Sequence, residues 1–207
     1  MLKNSIRIIF WVLFFGFFLY KLIPKFSYIT EGIPDYIGKK LLIDRFWFVL
    51  HITTGIIVYI TGLFQFIPYI RNKNLLRHRK LGKLFIISSL LCILALYFVI
   101  PGNLCDSCRP SQYFVTSLWL LFVLLAFYFI KQRKIALHQR FMTSGFICAA
   151  YFVTVRLIDM FAMDFFFKIT KNESDAFLFS DIAAWLVPLS AFWSYWFVID
   201  RSKRTTT

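Results

Sequence analysis

Apolar residues run along this chain in long blocks separated by short bursts of charge. Six blocks stand out, at approximately residues 5–23, 45–70, 81–100, 112–130, 141–163 and 181–199. A helix needs about 20 apolar residues to cross a hydrocarbon core roughly 30 Å thick. None of the blocks alternates with period two, which excludes a transmembrane barrel. The pattern predicts an all-α, polytopic transmembrane bundle of six helices forming one domain over residues 1–207. The first block opens like a secretory signal, with Lys3 and Arg7 ahead of an apolar stretch. That stretch is long, and no small-x-small cleavage site precedes Lys21, so it reads as a retained helix.

Composition and charge narrow the class further. The chain is 59% apolar and 21% aromatic, with only 16% charged residues, against about 25% in soluble domains. It nevertheless carries a formal net charge of +14. A disordered chain lacks this much apolar surface, and a soluble globule could not cover it. A nucleic-acid binder would gather its cations on a polar face, so no nucleic-acid partner is expected. Most of the 24 Lys and Arg fall at the amino end, between blocks two and three, between blocks four and five, and in the tail. Most of the acidic residues, including Glu31, Asp35, Asp106, Glu173 and Asp181, fall on the other side. The positive-inside rule then puts both termini in the cytoplasm.

Ionisable groups inside a span are costly unless paired, so each is a functional candidate. His51 lies six residues past Arg45, about 9 Å into the outer leaflet. Arg156 lies 15 residues past Phe141 on a helix running outward, about 22 Å from the inner surface and so at the level of His51. Asp159 shares the Arg156 face and can neutralise it. Gly55 and Gly62 would admit a neighbouring helix or a flat cofactor, and Gln65 sits deeper. His51, Gln65, Arg156 and Asp159 form a candidate buried polar site for a proton, a quinone headgroup or a haem. A structural clamp between helices is the competing reading.

On the inner side, Arg71, His78, Arg79, His138 and Arg140 form a second candidate site. Two helices that begin at one face with a His and an Arg near the first turn can converge, and their amino ends favour an anion. Headgroup anchoring is the plainer alternative. Two axial imidazoles must share one depth. His51 and His78 are separated by about 40 Å of continuous helix, so only His78 with His138 could hold a single haem b.

Cys105 and Cys108 form a CxxC pair on the outer, oxidising side, which makes them a candidate disulfide. A metal site would need two more ligands, and a thioredoxin-type role would need a βαβ context. Cys92 and Cys148 lie mid-block and read as small apolar packing residues. Asn172-Glu173-Ser174 is a glycosylation sequon, without meaning in a bacterium.

His51, Gly62, Gln65-Phe66, Arg71, His78-Arg79 and Gly82, followed by His138, Arg140, Met142, Ser144, Val153 and Arg156, resemble the pattern of the predicted membrane proteins called domain of unknown function 2306. The resemblance spans residues 45–160. Phe141 stands where that family usually has Trp, and the Cys105/Cys108 pair is not part of its pattern. The resemblance implies a multi-pass protein of the bacterial cytoplasmic (inner) membrane, with no established activity. The layout is also loosely similar to helical bundles that carry b-type haem. The leading expectation is a redox-associated membrane protein that binds haem or a quinone. A non-enzymatic subunit or assembly factor in contact with other membrane subunits is the alternative, and a small transporter the weaker one.

Overall fold

The computed structural model describes residues 42–67 and 74–205, together with Gly16, Phe17, Tyr20 and Ile23. Block one, the loop at 24–41 and Arg71 lie outside or almost outside these residues. Every regular element among the described residues is helical. In order they are α1 (Leu42–Gln65), α2 (Leu75–Val99), a 3-10 turn (Ile100–Gly102), α3 (Arg109–Lys131), α4 (Ile135–Ala149), α5 (Tyr151–Phe161), α6 (Met163–Ile169) and α7 (Glu173–Thr205).

Local chemistry explains where these helices begin. The Asn74 side chain accepts from the Arg77 N–H at 3.0 Å and caps α2, which satisfies an orphan donor of the first turn. The basic run after Asn74 is therefore helical, and α2 begins at Leu75 rather than at 81. Pro110 occupies the first turn of α3, where its missing N–H costs nothing. Asn172 accepts from the Asp175 N–H at 2.8 Å and donates to the Asp175 carboxylate at 2.9 Å. Glu173 and Asp175 add negative charge at the positive end of the helix dipole. Together they start α7 two turns before residue 181, where the apolar pattern had placed its beginning.

Four helical stretches are long and apolar enough to cross a membrane: Asp44–Gln65, Leu75–Gly102, Arg109–Lys131 and Glu173–Val198. α4 and α5 make a fifth if they act as one span, bent by 47°. The expected unbroken helix over 141–163 is thus corrected: it starts at Ile135, bends at Ala150 and ends at Phe161. No proline or glycine stands at the bend. The Thr154 hydroxyl donates to the Ala150 carbonyl at 3.3 Å just past the bend. The expectation of six spans has four or five counterparts among the described residues.

α1 packs along α2, and α3 packs along α4. α7 closes the bundle against α4, α5 and α3. Successive helices reverse direction, so the bundle has two distinct ends. One holds the Cys105–Cys108 loop and the start of α7, joined where the Ser107 hydroxyl donates to the Ser174 carbonyl at 3.1 Å. The other holds the starts of α2 and α4, the ends of α3 and α7, and most of the Lys and Arg among the described residues.

The distribution of side chains is that of a protein dissolved in lipid. Ser88, Ser89, Thr116, Ser144 and Ser180 are buried between helices. Leu91, Leu94, Phe98, Leu121, Leu124 and Phe127 face outward. Small and hydroxyl-bearing residues let backbones approach closely in a bilayer, where helices gain nothing by hiding leucine from lipid. An aromatic and aliphatic core of Val58, Tyr59, Phe85, Trp119, Val123 and Phe146 fills the centre.

Candidate functional site

The most deeply buried carboxyl group described is Asp181, 3% exposed. Because α7 starts at Glu173, Asp181 lies about 12 Å inside the helix. The Tyr151 hydroxyl, at the first position after the α4–α5 bend, donates to Asp181 Oδ1. Gln112 Nε2 on α3 reaches the same oxygen at 3.4 Å. Asp181 Oδ2 is buried without a hydrogen-bond partner among the described residues. A carboxyl group in this setting has one oxygen engaged and one buried beside it with a lone pair left to take up a proton. Three separate helices converge on it, and Tyr151 is the first residue past the 47° bend.

A polar chain connects this carboxyl to the disulfide loop. Asn103 Nδ2 donates to Gln112 Oε1 at 2.8 Å, and Asn103 Oδ1 accepts from the Cys105 N–H at 3.2 Å. Arg109 donates to the Asn103 carbonyl at 2.9 Å and pairs with Asp106 at 2.6 Å. One residue before Gln112, the Ser111 hydroxyl accepts from Trp185 Nε1 at 3.0 Å. Trp185 stacks obliquely on Phe114, with ring centroids 5.5 Å apart, so aromatic rings border the polar group.

The residues singled out from sequence are distributed as follows. Arg156 and Asp159 form an ion pair at 2.9 Å on α5, with the Arg156 side chain 64% exposed among the described residues. His51 is on α1, and its Nδ1 lies 3.4 Å from the Cys92 thiol. α1 meets α5 through the Tyr59 and Phe152 rings, with centroids 6.1 Å apart, while the Cys92 thiol beside His51 is on α2. Gln65 Nε2 donates to the His78 carbonyl at 3.1 Å, which ties that glutamine to the basic end. His138 Nδ1 donates to the Ala126 carbonyl at 2.8 Å. This fixes the tautomer and leaves Nε2 as the ring's acceptor. The Arg140 guanidinium lies over the Trp193 and Trp196 rings at 5.6 and 4.8 Å. Arg79 is exposed nearby, and Arg71 lies outside the described residues. His78 and His138 thus share an end of the bundle but stand on different hairpins, α1–α2 and α3–α4. Among the described residues, no three His, Cys, Asp or Glu side chains gather as a metal site.

Cys105 and Cys108 are joined, with Cα atoms 5.3 Å apart. Cys92 and Cys148 are buried free thiols. Gly62 is a point of close approach: a Cβ there would lie 2.4 Å from the Phe146 ring.

Sequence reasoning missed Asp181, Tyr151, Gln112 and Asn103. Asp181 was counted as a surface acid because the apolar pattern fades near it. The signal that finds it is the capping pair Asn172 and Asp175, which marks a helix start too early for Asp181 to be at the surface.

No curated protein and no solved structure matches the chain. Residues 48–197 match the family described as Predicted membrane protein (DUF2306), and the chain belongs to that family of membrane proteins.

Proposed function

We propose that this protein is a redox-associated protein of the bacterial cytoplasmic membrane whose site around Asp181 and Tyr151 binds a quinone headgroup. The reading takes the chain as six spans with both termini cytoplasmic, which puts the disulfide end outside. The observation that carries it is the buried Asp181 carboxyl, with one oxygen held by Tyr151 and Gln112 and the other buried without a partner among the described residues. A quinone presents two carbonyl oxygens to hydrogen-bond donors and takes up two protons on reduction. Gln112 Nε2 keeps a second N–H to donate, Tyr151 holds the carboxyl in place, Asp181 can relay protons, and Trp185 and Phe114 supply flat apolar surface. A carboxyl kept inside a span is functional by default, because lipid exacts several kcal/mol for an idle one. Haem has less support: it would rest on His138, whose Nε2 is ligand-ready, with His78 brought across from the other hairpin.

The test is a titration of the purified protein in lipid nanodiscs with ubiquinone-1, read by quenching of tryptophan fluorescence. Saturable quenching is expected, with affinity reduced by about tenfold, or 1.4 kcal/mol, in Asp181→Asn and Tyr151→Phe. Arg77→Ala, at the opposite end, keeps the wild-type affinity. Absence of saturation, or equal affinity in all four proteins, refutes the reading.

A further inference from the structure

The disulfide sits one helical turn from the Asp181 network, and its two sulfurs are unequal. Cys108 is 4% exposed and caps the amino end of α3. Cys105 is half-buried in the preceding turn, with its sulfur 3.4 Å from the Ser107 hydroxyl. The Cys108 carbonyl accepts from the Gln112 N–H at 3.0 Å, and Gln112 is the residue that reaches Asp181. Ser107 ties the loop to α7, and Asn103 bonds both to the Cys105 backbone and to Gln112. Loop and buried carboxyl are therefore parts of one connected polar structure.

We infer that Cys105–Cys108 is a redox-active pair that oxidises thiols at the disulfide end of the bundle and passes the electrons to the quinone beside Asp181. This inference rests on the quinone reading above. The sulfur a substrate can reach is Cys105. A substrate thiolate attacks Cys105 Sγ, the S–S bond breaks, and Cys108 Sγ takes the electron pair. Cys108 is the better leaving group because the positive end of a 23-residue helix faces it. A second substrate thiol then displaces Cys105, so the substrate leaves as a disulfide and the protein holds two thiols. Re-oxidation returns two electrons and both thiol protons to a quinone, which leaves as quinol while the Cys105–Cys108 bond re-forms. Asp181 Oδ2 is the buried acceptor through which the protons pass, with Tyr151 holding the carboxyl in place. The end of the bundle that carries the pair is, in the proposed topology, the oxidising face where such exchange has substrates.

The experiment uses the full chain in nanodiscs under anaerobic conditions. The pair is reduced with dithiothreitol, the reductant is removed, and ubiquinone-1 is added. Free thiols are counted by gel shift with a polymeric maleimide. Re-formation of the disulfide at one quinone per pair is expected. Asp181→Asn slows that step by about 100-fold and leaves reduction by dithiothreitol at the wild-type rate. Tyr151→Phe gives the same split and serves if Asp181→Asn fails to fold. Cys105→Ser abolishes turnover but retains quinone binding in the fluorescence titration. If quinone binds saturably yet the reduced pair re-oxidises no faster than without it, this inference falls and the quinone site stands. If wild-type protein shows no saturable binding at all, the quinone reading falls and takes this inference with it.

Discussion

Gly62→Ala adds one methyl group where α1 meets the ring of Phe146. The new Cβ would stand 2.4 Å from two Phe146 ring carbons and 3.1 Å from Phe85, whereas ordinary contact begins near 3.4 Å. The ring must retreat by about 1 Å, and it has little room. Phe146 is 6% exposed and is bordered by Tyr59, Phe66 and Phe85, with ring centroids 5.8, 5.1 and 6.5 Å away. Overpacking of this kind costs about 1–3 kcal/mol. The substitution also gains about 1 kcal/mol of helix propensity, which would blur the result. Gly55→Ala on the same helix isolates that gain, because its Cβ would meet only the Cys92 sulfur at 3.8 Å. The difference between the two variants is therefore the packing cost, about 1–3 kcal/mol in favour of Gly55→Ala. Unfolding in mixed micelles of increasing dodecyl sulfate fraction, followed by circular dichroism, measures it. Phe146→Leu in the Gly62→Ala background recovers part of the loss, since the two sites touch and their effects do not add. Equal stability of Gly62→Ala and Gly55→Ala would refute the close approach of α1 and α4.

Arg133 holds φ at 57° in the turn between α3 and α4, a left-handed conformation that a side chain disfavours by about 1 kcal/mol. Arg133→Gly should raise stability by about that amount while Arg133→Ala does not, and the same unfolding assay decides. Asn172→Ala removes the α7 cap and should cost about 1 kcal/mol, with the loss recovered by Asn172→Ser. For the proposed topology, an impermeant maleimide applied to intact cells after mild reduction should label Cys105 and Cys108. Labelling confined to inverted vesicles would turn the bundle over.

The apolar pattern carried the class of fold because lipid imposes it: a span must be long, continuous and helical, and these are properties of sequence alone. It placed α3 within a few residues and anticipated the Arg156–Asp159 pair from their spacing. It did not carry the bend at Ala150, where neither proline nor glycine marks a break. Nor did it bring Tyr151, Gln112 and Asp181 together, since they come from three helices and no local spacing relates them. Depth counted along single helices puts His51 and Arg156 at one level, and depth alone does not relate the faces they occupy. His51 turns to Cys92, a residue that hydropathy alone marks as packing.

The location of the quinone is the point on which the functional reading stands, and photo-crosslinking tests it most directly. Protein in nanodiscs would be illuminated with an azido-substituted ubiquinone, digested, and the labelled peptides mapped by mass spectrometry. The proposed site predicts label on residues near Gln112, Tyr151 and Asp181 to Trp185, competed away by ubiquinone-1 and weakened in Asp181→Asn. Competable label at the basic end, around His78, His138 and Arg140, would contradict it.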